Sequence, residues 1–346
     1  MATCPKFTEC LVSDRVFAQN PLSVVDVGAR GGPEPHWLHY KDQVKIVAFE
    51  PEKKECEALN KKRASSRITY YPFALHKAEG TYEFYELGTP DGASFYKMNE
   101  EFVERFPDEM DLGVKGQTRV QATTLDSFLA EHKIPNVDFM KIDTEGAELD
   151  VLEGSIKALK SSVLGISCEV LFTPWRSNKV LFSNVERFLY ELGFRLYDLS
   201  THKYARKSFP GPESSWGQII VGQAIFFRDP IEEIKNKTAL LNGWDKDRIY
   251  KLATLFEIFR LPDCAIELLQ FASKEGLIEA DEKERALYND LISKSYSGTT
   301  YEKHFKKLKK IKKRGYASFY EMLKARARKS FLAKIVRKFI VDPRLK

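Results

Sequence analysis

Between Val24 and Arg228, short apolar or β-branched runs alternate with longer polar segments that suit helices, and this alternation limits the fold more tightly than any other feature of the chain. It is the pattern of βα units feeding a sheet whose central strands are parallel and buried on both faces. Strands are expected near 23–27, 45–49, 68–73, 137–142 and 164–170. Two further runs, 194–199 and 218–228, flank a Gly/Pro/Ser-rich stretch at 208–217 and predict a closing antiparallel pair. Runs at 81–87 and 119–122 add strands around an irregular insertion, 88–116. After the fourth parallel strand Leu149, Leu152, Ile156 and Leu159 repeat at helical spacing, which predicts one helix packed on the sheet.

After Pro230 the sequence turns helix-rich with few β-branched runs, so a boundary is expected there. The expected division is an N-terminal segment 1–20, an α/β domain 21–230, a helical domain 231–300 and a basic amphipathic helical tail 301–346. Residues 250–273 read as two helices joined at Leu261-Pro262-Asp263, with the spacing of a single tetratricopeptide hairpin. A lone copy is not an array, because such repeats bury a core only with neighbours. The net charge of +6 is concentrated in the last fifty residues. A basic amphipathic tail can rest on an anionic membrane surface, pack on its own domain or contact phosphates. With no nucleic-acid module beside it, nucleic acid is not expected as a partner, and peripheral contact with a membrane surface is kept as an expectation. Five scattered cysteines without a C-x-x-C pair argue for reduced thiols. The longest apolar stretch, 219–227, is far shorter than the roughly 20 residues of a spanning helix. The first residues lack the basic-then-apolar order of a secretory signal. The expected location is the cytoplasm, extending to the inner face of the membrane.

The run Ser23-Val24-Val25-Asp26-Val27 ends in the turn Gly28-Ala29-Arg30-Gly31-Gly32, followed by a short helical segment around His36 to Tyr40. Glycines there let backbone N–H groups approach a ligand, although a tight turn alone would also explain them. The second strand ends at Glu50-Pro51, where a carboxylate faces the hydroxyls of a ribose in nucleotide-binding sheets. A dinucleotide fold wants a second glycine where Arg30 stands, which weighs against a nicotinamide oxidoreductase. Asp26, Glu50 and Asp143 place three carboxylates at strand C-termini, a pattern suited to a cationic donor such as S-adenosylmethionine.

At the fourth strand the block Val137-Asp138-Phe139-Met140-Lys141-Ile142-Asp143-Thr144-Glu145-Gly146-Ala147-Glu148 is followed by Val151-Leu152-Glu153-Gly154. Together with the Asp26 turn, Ala48-Phe49-Glu50-Pro51, Phe73-Ala74-Leu75, Thr124-Leu125-Asp126 and Cys168-Glu169, this order resembles the FkbM family of S-adenosylmethionine-dependent methyltransferases over about residues 20–230. The resemblance implies a Rossmann-like class I methyltransferase fold, and O-methylation, often of a sugar hydroxyl in a glycan or natural product. It implies a donor site built from Asp26, Gly28, Ala29, Arg30, Gly31, Glu50, Pro51, Ala74, Leu75 and Asp143. Ser94, in Gly92-Ala93-Ser94, is similar to a serine-containing stretch of the family. Arg30 departs from the small polar residue common in that turn.

Methyl transfer needs an acceptor oxygen in line behind the methyl group. A carboxylate helps by taking the hydroxyl proton or by holding a divalent ion. Asp143 is the first choice for the acid nearest the methyl group, with Glu145 and Glu169 as base or metal ligand; as plain helix caps, Asp143, Thr144 and Glu145 would leave the rest of the block unexplained. His36, His39 and His76 match no zinc spacing, and only His76 is kept as a donor-site candidate. Trp175 and Arg176 can stack on and hydrogen-bond a sugar ring, and core packing explains the tryptophan equally well. The competing function is a non-catalytic binding module that retains the fold and uses its helical tail for partners.

Overall fold

A computed structural model describes residues 5–62, 67–88, 92–107, 111–209, 217–236, 243–279 and 282–295. In chain order its first half comprises α1 (Lys6–Ser13), β1 (Leu22–Val27), a 3-10 helix (Pro35–Tyr40), β2 (Val44–Phe49), α2 (Lys53–Lys62), β3 (Ile68–Tyr71), β4 (Ala74–Leu75), β5 (Gly80–Leu87), α3 (Glu100–Val103), β6 (Val114–Thr123) and α4 (Leu125–Glu131). It continues with β7 (Phe139–Ile142), α5 (Glu148–Glu153), α6 (Ile156–Ser161), β8 (Gly165–Leu171), α7 (Phe182–Glu191), β9 (Phe194–Tyr204), β10 (Gln218–Arg228), α8 (Pro230–Asn236), α9 (Lys246–Ile258), α10 (Pro262–Lys274) and α11 (Glu282–Ser295).

Among the described residues, seven strands form the main sheet in the order β3-β2-β1-β7-β8-β10-β9. Neighbours from β3 to β8 are parallel, and β10 runs antiparallel to both β8 and β9. This is the expected mostly parallel sheet with a closing antiparallel pair. β1 lies in its interior, between β2 and β7, which is why Val24, Val25 and Val27 are all buried. The expected runs near 81–87 and 119–122 form β5 and β6, but these join β4 in a separate three-stranded sheet rather than the main one.

The sheet is covered on both sides. One face packs Val25, Met140, Ile142 and Ile166 against Phe128, Leu152, Leu159 and Leu189. The other packs Val24, Phe139 and Phe227 against Phe7 and Leu11 of α1, Trp37 and Tyr40, and Leu252 and Phe256 of α9. Every residue of α9 from Ile249 to Ile258 is buried, because α10 closes its outer side. Two buried charge contacts fix α9: Lys251 Nζ lies 3.0 Å from Asp138 Oδ2, and Glu257 accepts hydrogen bonds from the Phe7 and Thr8 backbone N–H groups and the Thr8 hydroxyl.

The single helix expected from Leu149 to Leu159 is broken at Gly154-Ser155 into α5 and α6. A Cβ at Gly154 would sit 2.3 Å from the carbonyl oxygen of His76, and Ile156 is exposed rather than packed on the sheet. The helix pair expected at 250–273 is present as α9 and α10, joined at Leu261. Residues 1–292 form one compact unit. The change of character at Pro230 thus falls within that unit, where strands give way to helices. The basic tail expected at 301–346, with its membrane contact, lies outside the described residues. No helix among the described residues is long and apolar enough to cross a membrane.

Candidate active site

The turn after β1 is held from two sides. Gly28, Gly31 and Gly32 take left-handed φ of 76°, 79° and 94°. A Cβ on Gly28 would lie 1.9 Å from the backbone oxygen of Asp143, so β1 and β7 approach through a position that only glycine can fill. The N–H groups of Gly28 and Ala29 donate to the Phe49 carbonyl at 3.2 and 3.0 Å. These two donors therefore tie the turn to β2 instead of facing a ligand. Gly31 is different: nothing lies within 4 Å of where its side chain would be.

Lys141 belongs to the 137–148 block, whose spacing carries no sign of its role. Phe139 and Lys141 point to the same face of β7, and the Lys141 ammonium is 2.8 Å from Gly28 O, 3.4 Å from Asp26 Oδ1 and 3.4 Å from Asp143 Oδ2. Burial opposes its charge, but Asp26 and Asp143 outweigh burial and hold its pKa above the ordinary lysine value. Asp26 is itself buried, and desolvation lifts its pKa to about 6 despite Lys141. The acids expected to surround an incoming cation thus already enclose a resident one.

Glu50 is buried at the end of β2, with its carboxylate accepting the Glu52 N–H at 2.9 Å, and burial raises its pKa. Arg30 pairs with Glu52, and Pro51 lies half-buried between the two acids. Ala74 and Leu75 are buried in β4, where Leu75 packs with Val27 and Phe49 in the core. His76 belongs to a different cluster: its ring lies against Tyr82 and Phe95, 3.7 Å from Asp150. Ser94 is fully buried and its hydroxyl donates to the Glu145 carbonyl at 2.8 Å. His76 and Ser94 also brace the helix and the loop that follow β7, through Asp150 and the Glu145 carbonyl.

That loop carries the reactive candidates. One carboxylate oxygen each from Asp143, Glu145 and Glu169 lie within 4.8 Å of one another. Glu145 takes a left-handed φ of 58°. Glu148 accepts hydrogen bonds from the Thr144 and Gly146 N–H groups and the Thr144 hydroxyl, at 2.9, 3.0 and 3.1 Å. The last acid of the block is therefore an internal brace, which the spacing alone did not reveal. Burial raises the Glu169 pKa well above the carboxylate range, with Glu145 and Asp143 adding to the shift. Arg176, expected to meet substrate, is 2% exposed and donates to Glu145 and to the carbonyls of Gly92 and Tyr96. Trp175 is likewise buried, stacked on Tyr204. Arg176 balances Glu145 and Lys141 balances Asp143, so among the three acids Glu169 is the one with no cation within ion-pair distance among the described residues.

A cavity of about 360 Å³ opens on the sheet face that carries Lys141, between Trp37, Phe259 and the strands β7 to β10. Ser167 and Gln223, joined by a 2.7 Å hydrogen bond, form part of its floor.

Residues 26–196 match the model of the methyltransferase FkbM domain, and the chain carries a methyltransferase domain of that family. The strand order of the main sheet, with its antiparallel β10, is that of the Rossmann-like class I methyltransferase fold, here with a C-terminal helical region. No curated protein matches the chain. Among solved structures, it is similar to an FkbM methyltransferase from Methylobacillus flagellatus, at 13% identity and a TM-score of 0.34, covering 60% of this chain and 43% of that one. This chain thus spans less than half the length of that protein. It is also similar to magnesium protoporphyrin IX methyltransferase from Synechocystis, solved with bound S-adenosylmethionine, at 8% identity and a TM-score of 0.30, covering 64% and 78% of the two chains.

Proposed function

We propose that this chain is an S-adenosylmethionine-dependent O-methyltransferase acting on a hydroxyl of a saccharide in a glycan, a polysaccharide precursor or a related natural product. The observation that supports it best is the convergence of Asp143 and Glu145, just after β7, with Glu169 of β8, beside a left-handed glycine turn and inside a methyltransferase domain. When bound, S-adenosylmethionine supplies a methyl group on a cationic sulfur, which passes to an acceptor oxygen lying in line with the breaking bond. The residues present fit that donor. Glu50 ends β2, where strand-end acids meet ribose hydroxyls, and the open side of Gly31 leaves room for close approach. Asp26 and Asp143 outnumber Lys141, so their cluster keeps a net negative charge when both acids are ionised.

The acceptor hydroxyl must lose its proton as the new bond forms. Glu169, whose pKa is raised by burial and by the neighbouring Glu145 and Asp143, holds a proton more tightly than an ordinary carboxylate once it has taken one. Arg176 fixes Glu145 and keeps it from turning away, and Asp143 is anchored by Lys141. Calorimetry with S-adenosylmethionine and its demethylated product should detect binding of both. Asp143→Ala should cut transfer of labelled methyl into carbohydrate by at least about a hundredfold without loss of cooperative melting. A purified chain that takes up neither nucleoside would sink the reading.

A further inference from the structure

The cavity beside Lys141 has two unlike walls. Phe139, Ile225, Trp37 and Phe259 supply apolar surface, while Ser167, Gln223 and Ser200 supply hydroxyl and amide groups. Its formal charges are already satisfied or solvated. Lys141 is enclosed by Asp26 and Asp143, whereas Glu34, Asp198 and Arg260 are exposed. A charged ligand would gain little there, because exposed charges are screened. Burial keeps His36, which also lines the space, neutral, and neither of its ring nitrogens has a hydrogen-bond partner among the described residues. The volume is near the small end of ligand sites, enough for one ring rather than a nucleotide-linked sugar.

The position matters as much as the lining. Gln223 lies opposite Glu169 in the β8–β10 register, and Lys141 reaches Asp143, so two of the three converging carboxylates stand just beyond the lining, toward the C-terminal ends of β7 and β8. The alternative pair, Trp175 with Arg176, does not line the cavity: Trp175 packs on Phe106 and Tyr204, and the Arg176 guanidinium is taken by Glu145 and the Gly92 and Tyr96 carbonyls.

We propose that this cavity is the acceptor subsite and takes one uncharged, hydroxyl-bearing saccharide ring, with its apolar face on Phe259, which Trp37 backs from within the core, and its hydroxyls read by Gln223, Ser167 and Ser200. The inference rests on the methyl-transfer reading. One ring hydroxyl then points at the carboxylates: its oxygen gains the methyl group and its proton passes to Glu169 or Asp143, while the donor leaves as a neutral thioether.

The test is saturation-transfer NMR on the full chain loaded with S-adenosylhomocysteine, using a panel of methyl glycosides of the common hexoses and 6-deoxyhexoses. At least one glycoside should receive saturation from the wild-type protein, and Ser200→Trp, which fills the cavity from an exposed strand position, should abolish the signal. Gln223→Leu should weaken the same glycoside by at least about fivefold. Both variants should bind S-adenosylhomocysteine within about twofold of wild type. No signal from any glycoside, an unchanged signal in the filled variant, or loss of S-adenosylhomocysteine binding on filling would overturn the assignment, the last by giving the cavity to the donor. Failure of the wild-type chain to bind S-adenosylhomocysteine would instead count against methyl transfer itself.

Discussion

Glu148 shows how one side chain can hold a loop at an energetic cost. Its carboxylate collects three hydrogen bonds that shape the path from Asp143 to Gly146, yet burial lifts its pKa to about 7. Because the folded pKa exceeds the unfolded one, the folded state binds the extra proton between about pH 4.5 and 7, and stability falls as pH rises through that window. Replacing Glu148 with Gln keeps an acceptor oxygen and removes the ionisation. The variant should gain on the order of 2 kcal/mol over wild type at about pH 8 and show a flatter melting-temperature profile between about pH 6 and 8. An unchanged pH profile would mean that Glu148 does not titrate there. Lys141 teaches a related lesson. A lysine in a strand reads as a solvated side chain, and only the pairing of β1 with β7 reveals that two acids and a carbonyl converge on it.

The break between α5 and α6 sets where the β7 loop can lie. Gly154 has an ordinary helix-like backbone, so the demand for glycine is steric: the His76 carbonyl occupies the space of a side chain. Gly154→Ala should cost about 1–3 kcal/mol in urea denaturation, as overpacking of a closed contact does. Loss of less than a few tenths would show that β4 yields easily. The parallel strands were legible because β1, β7 and β8 are almost wholly buried and read as apolar runs, with β2 broken only by the exposed Lys45. β6 was not fully legible, since most of Val114–Thr123 is exposed and carries no apolar stripe to mark its length. The repeat through Leu159 is periodic but not continuous, because periodicity does not register the His76 carbonyl that arrives from the end of β4. The carboxylates of the site were visible at their strand ends. What brings Arg176 onto Glu145 is long-range packing, which no local pattern encodes.

At the scale of the molecule, α9 completes the sheet and secures α1. Removing the Glu257 carboxylate would leave the Phe7 and Thr8 donors buried without a partner. Glu257→Ala should therefore cost about 3–5 kcal/mol, and the loss should appear in the single unfolding transition of the whole unit. A separate early step confined to α1 would show that the helix is merely appended. The same dependence extends to the apolar patch of Val24, Phe139 and Phe227, which α9 covers.

The contact between residue 7 and residue 257 also has a consequence in time. A ribosome would release every strand of the central sheet well before it released Lys251 and Glu257. During that interval the growing polypeptide would display a greasy surface shielded only by α1 and the segment around Trp37, and the Phe7 and Thr8 N–H groups would lack their acceptor. Synthesis of this protein should accordingly lean on chaperones until its last shielding helix emerges.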